Sequence, residues 1–458
     1  MKIDVALEAR ALEPAIHRLL ELSAAKILHL QKRWDPSHGT PVFTVRGEYT
    51  SRGWTEWTQG FQFGAAILQF DATGDERFLE IGRHATVQRM ASHLTHVGVH
   101  DHGFNNVSTY GNLLRLMHEG RVENDPWQRR FYELALKVSG AVQATRWTRL
   151  GPDQGYICSF NGPQSLFADT IRSLRALALA HQLGHVLMGE GDRAVSLFGR
   201  LLQHADATAR FNVYFGKGRD LYDVRGRVAH ESIFNVTDGA YRCPSSQQGY
   251  SAFTTWTRGL AWILCGYAEQ LEFLAQVPAA QFEGVGDKAA TLARFRDVAE
   301  ATADFFIANT PTDGVPYWDT GAPGLARLGD YLGRAAEPFN DHEPVDSSAA
   351  AIAAQGLLRL GNWLGARGEG EKGRPYRQAG LTVARTLFAE PYLSTNAAHE
   401  GLLLHAVYHR PNGWDHVPPG RKIPCGESCL WGDYHGLELA LLILREAEGG
   451  RYLKFFID

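Results

Sequence analysis

Apolar residues recur at spacings of three and four along most of the chain, the mark of helices with one buried face. Ile16, Leu19, Leu20, Ala24 and Ile27 set the pattern. Similar runs predict helices over about 57–73, 76–95, 104–119, 127–143, 165–187 and 191–204. The pattern resumes over about 251–275, 288–309, 347–367, 372–388, 399–409 and 432–447. Alternating segments that read as strands are short and few, near 212–216 and 233–236.

The helices come in pairs. One member is rich in Gly, Ala and aromatics, a short charged turn follows, and the next helix is more amphipathic. Thr73-Gly74-Asp75-Glu76, Gly189-Glu190-Gly191-Asp192 and Gly368-Glu369-Gly370-Glu371 are such turns. Repeated helix pairs predict a closed or stacked array. A helix with little charge on any face belongs inside. Six runs fit that description, starting near Trp57, Phe104, Ser165, Ser251, Ser347 and Gly432. With six outer partners they make an all-α (α/α)6 barrel over one domain, 1–458. An open superhelix is the alternative. The stretch 321–346 carries Gly, Pro and charge without periodicity, and is expected to be a long loop over one mouth.

Composition narrows the functional classes. The net charge is −4 and no basic block stands out, so a nucleic-acid partner is not expected. No uncharged apolar run reaches the ~18 residues of a membrane span. The start, Met1-Lys2-Ile3-Asp4-Val5, lacks the form of a signal peptide, and five scattered cysteines suit a reducing cytoplasm. Cys425 and Cys429 lie four apart, but no second Cys/His pair stands near them, so no metal site is read. The oligomeric state, monomer or homodimer, is not encoded legibly.

Polar residues gather where the inner helices begin, which is where a pocket would form. In Trp54-Thr55-Glu56-Trp57-Thr58-Gln59-Gly60-Phe61, Trp57 is either a platform for a sugar ring or a core residue beside Gly60. In His100-Asp101-His102-Gly103-Phe104, two imidazoles flank a carboxylate and would tune its proton affinity; alternatively Asp101 caps the following helix. Asp169, Arg172 and Ser173 share a helix face, and Asp169 either serves a pocket or complements the helix dipole. Arg258 and Trp262, four apart after Gln248-Gly249-Tyr250, pair a guanidinium fork with an indole, which either suits a carboxylate on a ring or is a structural stack of Arg on Trp. Near the C-terminus, Glu400 to His405, His409 to Gly413 and Trp431 to His435 read as the mouth of the sixth pair, with Asp433 lining it or capping the last inner helix.

In this order the segments resemble glycoside hydrolase family 88, the unsaturated glucuronyl hydrolases. The likeness runs from about Trp54 to Glu438. It rests on Trp-Thr-x-Gly-Phe at 57–61, His-Asp-x-Gly-Phe at 100–104, Asp169, Gln-Gly-Tyr at 248–250 and Trp-x-Arg-Gly-x-Ala-Trp at 256–262. Pro-Tyr-Trp-Asp at 316–319, Asp-Ser-Ser-Ala-Ala-Ala at 346–351, His-Arg-Pro-Asn-Gly at 409–413 and Gly-Asp-Tyr at 432–434 complete it. The resemblance implies an (α/α)6 barrel, catalytic carboxylates at Asp101 and Asp169, and substrate contacts from Trp57, His100, His204, Gln248, Arg258 and Trp262. It implies a small unsaturated oligosaccharide as partner and no metal or organic cofactor. Asp169 would protonate C4 of a C4=C5 enol ether, and Asp101 would help keep it protonated. The chain departs from the pattern at Gln62, at Ala252-Phe253-Thr254 and in a longer segment, Glu337–Glu343. These departures bear on the sugar beyond the uronate. An unsaturated rhamnogalacturonyl hydrolase, a sugar epimerase or isomerase relying on His204 or His405, and a non-enzymatic helical scaffold are the competing readings.

Overall fold

The computed structural model describes residues 1–52 and 56–457, with only the backbone of Glu56; Trp54 and Thr55 lie outside the described residues. Among the described residues, twelve helical runs alternate between an outer and an inner ring. The outer helices are α1 (Glu13–Arg33), α3 (Glu76–Arg89), α5 (Pro126–Thr145), α7 (Leu197–Phe211), α9 (Lys288–Ala308) and α11 (Gly370–Leu387). The inner helices are α2 (Gln59–Thr73), α4 (His102–Asn106 continued through a π turn to Asn112–His118) and α6 (Thr170–Ser173 with Arg175–Gln182). The inner ring is completed by α8 (Thr257–Gln276), α10 (Ser347–Ala366) and α12 (Leu430–Ala447). Each inner helix packs on the next, and α12 returns to α2, so the ring closes as an (α/α)6 barrel. Among the described residues no helix is long and apolar enough to cross a membrane.

The charged turn at 73–76 works as its composition implies, whereas Gly189–Asp192 lies in a hairpin between Leu187–Met188 and Ala194–Val195. Gly74 ends α2 at φ +72°, and Asp75 caps α3 by accepting from Arg77 N. Ser196, Asp287 and Asp346 likewise cap α7, α9 and α10. The inner helices are buried almost throughout: every residue of α8 from Thr257 to Leu274 is inaccessible. Such helices approach closely only where side chains are missing. A Cβ on Gly103 would lie 2.1 Å from Ser173 O, and one on Gly266 2.8 Å from Ile171. Gly60 meets Asn105, and Gly356 meets Cys265, in the same way.

Several expectations need correction. The run 399–409 is not a helix: Asp433 accepts from Leu402 N and Leu403 N (both 2.8 Å), and this loop runs across the mouth. The third inner helix begins at Thr170; Ser165–Phe167 is a strand, β1, paired antiparallel with β2 (Glu231–Phe234), which pairs with β3 (Tyr241–Ser245). The fourth begins at Thr257, six residues beyond Ser251. Strands are more numerous than the alternation suggested, whereas 212–216 contributes a single bridge, Val213 to Val228. Residues 321–346 do form a loop, with one 3-10 turn at Pro323–Leu328. It lies at the mouth where the inner helices start, because Tyr317 bridges to Val345 and Trp256 to Asp319.

Gly103→Ala should therefore lower stability by about 1–3 kcal/mol, the usual scale of overpacking. Gly365→Ala, at an exposed helical position whose Cβ meets nothing, should be neutral or raise stability by up to about 1 kcal/mol. Denaturant melts of the two variants check the pair.

Candidate active site

A cleft of about 590 Å³ opens where the inner helices begin. Trp57 enters it from the turn before α2, His100 and Asp101 from the residues before α4, and Asp169 from the residue before α6. Trp256, Arg258 and Trp262 come from the start of α8, and Tyr408, His409 and Trp414 from the loop before α12. Phe104, Phe160, Gln247 and Gln248 complete the wall. Trp57 is half-buried, tilted against Trp431 at 4.8 Å, and Phe104 packs on Trp262 at 4.9 Å. The walls are aromatic and the base is acidic, a combination suited to a polar ring.

His100 joins the two carboxylates. Its Nε2 lies 3.3 Å from Asp169 Oδ1 and 3.7 Å from Asp101 Oδ1. Both aspartates occupy the residue before a helix, yet neither side chain caps it. The capping role that would account for them structurally is therefore unfilled. The imidazole is held by a stack on Phe160 and an edge contact with Phe167, and its backbone carbonyl accepts from Gln143 Nε2 (2.8 Å) and Ser173 Oγ (2.6 Å). His102 turns away, bonding Ser139 and His96 O, so only one of the two flanking imidazoles serves the site.

The protonation of this group differs from the arrangement implied by the resemblance. Burial raises the proton affinity of Asp101, opposed by His100 and reinforced by Asp169, and its carboxyl sits above the ordinary value. Burial acts the same way on Asp169, but the bond and charge of His100, with His230 and Arg258, overcome it and hold that carboxyl below the ordinary value. Burial works against a charge on His100, yet the two aspartates keep its proton on to a higher pH than usual. His100 thus holds a proton more tightly than an ordinary imidazole and Asp169 less tightly than an ordinary carboxyl, and the two are bridged at 3.3 Å.

Arg258 lines the cleft, but its guanidinium already has protein partners. Nη1 donates to Asp346 Oδ2 (3.0 Å) and to Val407 O; Nη2 donates to Gln248 Oε1 (3.0 Å) and Tyr408 O (2.8 Å). It lies over Trp256 and Trp431, not over Trp262 as the spacing suggested. Gln248 is thereby oriented with its carbonyl toward Arg258, which leaves its amide N–H groups for a ligand.

His204 does not line the cleft. It sits on outer helix α7, fully buried, with Nδ1 accepting from Ile157 N (2.9 Å). A second imidazole near Asp169 is that of His230, which the sequence reading missed. Ala168 N donates to His230 O (2.8 Å) in continuation of the β1–β2 ladder, so pairing alone sets His230 next to Asp169. Its Nδ1 accepts from Gln247 N (3.1 Å) and Gln248 N (3.3 Å), fixing the proton on Nε2, and burial lowers its pKa to about 4. The only sequence signal was a histidine bordering a strand-like run. Asp433, read as lining or capping, instead anchors Tyr49 Oη (2.6 Å) and the 402–403 backbone. His405 stands apart from the cleft at φ +66°.

Arg258→Lys keeps the charge and loses the fork. It should lower stability by about 1–3 kcal/mol, through buried acceptors left unpaired, and weaken turnover as well as binding. Melting temperature and steady-state kinetics read both effects. An unchanged melt with only KM raised would return Arg258 to the role of a ligand clamp.

No family model matches the chain. It is 27% identical over 414 residues to the unsaturated glucuronyl hydrolase of Bacillus sp. (strain GL1), covering 87% of this chain and 89% of that protein. It is 24% identical over 427 residues to the unsaturated chondroitin disaccharide hydrolase of Streptococcus pyogenes serotype M1, covering 89% and 86%. The fold is shared with an unsaturated glucuronyl hydrolase specific for heparin, with a TM-score of 0.71 at 19% identity over 96% of this chain and all of the other. The solved Bacillus sp. GL1 enzyme superimposes with a TM-score of 0.69 at 24% identity over 97% and 98% of the two chains. With the ordered motifs of its sequence and the paired aspartates at the barrel mouth, the chain is similar to the unsaturated glucuronyl hydrolases over most of its length and shares their fold.

Proposed function

We propose that this protein releases the 4,5-unsaturated uronate from the non-reducing end of small oligosaccharides produced by polysaccharide lyases. The observation that carries the reading is the single imidazole between two non-capping carboxylates, bonded to Asp169 and 3.7 Å from Asp101, in a cleft walled by indoles. The relatives' activities are consistent with it: one acts on unsaturated chondroitin disaccharides, and another is specific for heparin.

A substrate uronate brings a negative charge into a cleft that already holds one ionised aspartate. Like charges in a poorly solvated space raise proton affinity. The proton on His100 then passes to Asp169 across their 3.3 Å contact. Asp169 delivers it to C4, and positive charge develops at C5 and the ring oxygen. Water adds at C5, and the Asp169 carboxylate takes the water's proton. The resulting hemiketal opens and the glycosidic bond is lost with it. Asp101, whose carboxyl lies above its ordinary proton affinity, hydrogen-bonds a substrate hydroxyl. His230, neutral, keeps Gln247 and Gln248 in place. Trp57 and Trp262 give the ring its apolar faces, and Gln248 offers its amide N–H groups to the carboxylate. The anomeric carbon is not attacked, so carboxylate separation does not set stereochemistry here. Five unpaired thiols suit a reducing compartment, and we place the enzyme in the cytoplasm.

Asp169→Asn should cut kcat by about 10²–10⁴, the scale of a lost general acid, without a change in melting, since this carboxylate caps nothing. The assay is loss of the enol-ether absorbance with unsaturated disaccharides of glycosaminoglycan and pectin origin. Substantial turnover by the variant would remove Asp169 from the chemistry; cleavage of pectin-derived substrates alone would favour the rhamnogalacturonyl reading. Because His100 keeps its proton above the usual 6.5, activity should persist above that pH and fall as the pH rises through the shifted value. His100→Gln should lower kcat more than it raises KM and displace that alkaline limb. An unmoved limb would take the proton off His100.

A further inference from the structure

The loop before α12 supplies a wall of the cleft that the proposed chemistry does not use. Its rings form a row. Tyr408 lies 5.2 Å from Trp431 and 5.2 Å from Trp414, and His409 lies 4.7 Å from Trp414. Trp414 is half-buried, whereas Trp262, on inner helix α8, is buried, so the row leads toward the mouth. A sugar joined to a uronate seated on Trp262 would meet these rings next.

Three polar atoms of lining residues have no partner: Tyr408 Oη, His409 Nε2 and Gln247 Oε1. Tyr408 is only 4% exposed and His409 3%. His409 Nδ1 accepts from Asn412 N (3.3 Å), which sets the ring proton on Nε2, and burial lowers the pKa of the ring to about 4. Burial raises that of the Tyr408 hydroxyl, which keeps its proton. All three groups are therefore neutral, and together they offer donors and an acceptor. Buried polar atoms without partners are costly, which marks these for a ligand. Sugar hydroxyls both donate and accept, whereas a sulfate only accepts.

The cleft also lacks a cation for a second negative charge. Among the described residues that line it, Arg258 is the only Lys or Arg, and both its terminal nitrogens are held by protein acceptors. Residues 53–55 contribute no basic side chain. Arg52 and Arg146 lie outside the cleft and are engaged, donating to Trp414 O (3.0 Å) and Cys158 O (3.0 Å). Arg410 follows His409 but does not line the cleft. A sulfate here would share a poorly solvated space with the uronate and with Asp169, and nothing would offset the repulsion.

We propose that the sugar from which the uronate is released is neutral and unsulfated, seated on Trp414 with its hydroxyls bonded by His409, Tyr408 and Gln247. The inference rests on the uronate reading and adds to it the class of the second sugar. The uronate's own charge is the one the cleft accommodates, because that charge raises the proton affinity of Asp169.

The test uses the full-length protein and a matched pair of unsaturated disaccharides: the uronate linked to N-acetylgalactosamine, with and without a 6-sulfate. Loss of the enol-ether absorbance reads both. At low ionic strength kcat/KM should be roughly tenfold or more higher for the unsulfated member. Trp414→Arg, which adds a planar cation at a half-buried position, should shrink that ratio by roughly threefold or more by speeding the sulfated member. His409→Phe should raise KM for the unsulfated member more than it lowers kcat. Equal or faster turnover of the sulfated member would overturn the proposal and leave the uronate reading standing. So would a ratio that Trp414→Arg does not move, or a KM indifferent to His409→Phe. Turnover of no unsaturated disaccharide at all would sink the uronate reading and this inference with it.

Discussion

The contact on which the site depends is the close approach of α4 to α6 at Gly103 and Ser173. There is no room for a Cβ at residue 103, whose N–H donates to Ser173 Oγ (2.9 Å). The same hydroxyl donates to His100 O. One serine therefore fixes the distance between the two helices and the carbonyl of the imidazole that links them. Asp101 lies two residues before Gly103, and Asp169 four residues before Ser173. Bringing the helices together brings the two carboxylates onto one histidine.

That closeness sets the electrostatics. Two buried carboxylates within reach of each other cannot both ionise freely. Here an imidazole divides them: one is held below its ordinary proton affinity and the other above. The surrounding supports are backbone-fixed. β1 and β2 place His230, and one arm of Arg258 holds the Asp346 cap of α10 and Val407 O while the other holds Gln248 and Tyr408 O.

The two ends of the barrel resolve the same problem differently. Six inner helices leave polar groups along the axis that cannot all be covered by one another. At the mouth these groups face a cleft and remain available to a ligand. At the other end they are paired, Arg172 with Glu438 and Glu269 and Arg359 with Glu272, under the C-terminal segment. Such a network contributes little net stability relative to an apolar core, but removal of one member is costly because the remainder stays charged and buried.

The helical periodicity determined the architecture: apolar spacing and lack of charge separated inner from outer helices, and Gly-Asp turns marked where pairs divide. The motifs likewise located Trp57, His100, Asp101, Asp169, Gln248, Arg258 and Trp262 at one mouth, because residues at the starts of successive inner helices must converge there. What tertiary structure alone decided is how those side chains face. His230 reaches Asp169 through strand pairing between segments some sixty residues apart, a relation no local pattern carries. His204 is excluded because its helix presents it to Ile157 N instead. The non-helical course of 399–409 follows from a buried carboxylate, Asp433, that captures its N–H groups against a strong apolar pattern. Where the proton resides was also beyond the sequence, since it depends on burial and on distances among three groups brought together only by the closed ring.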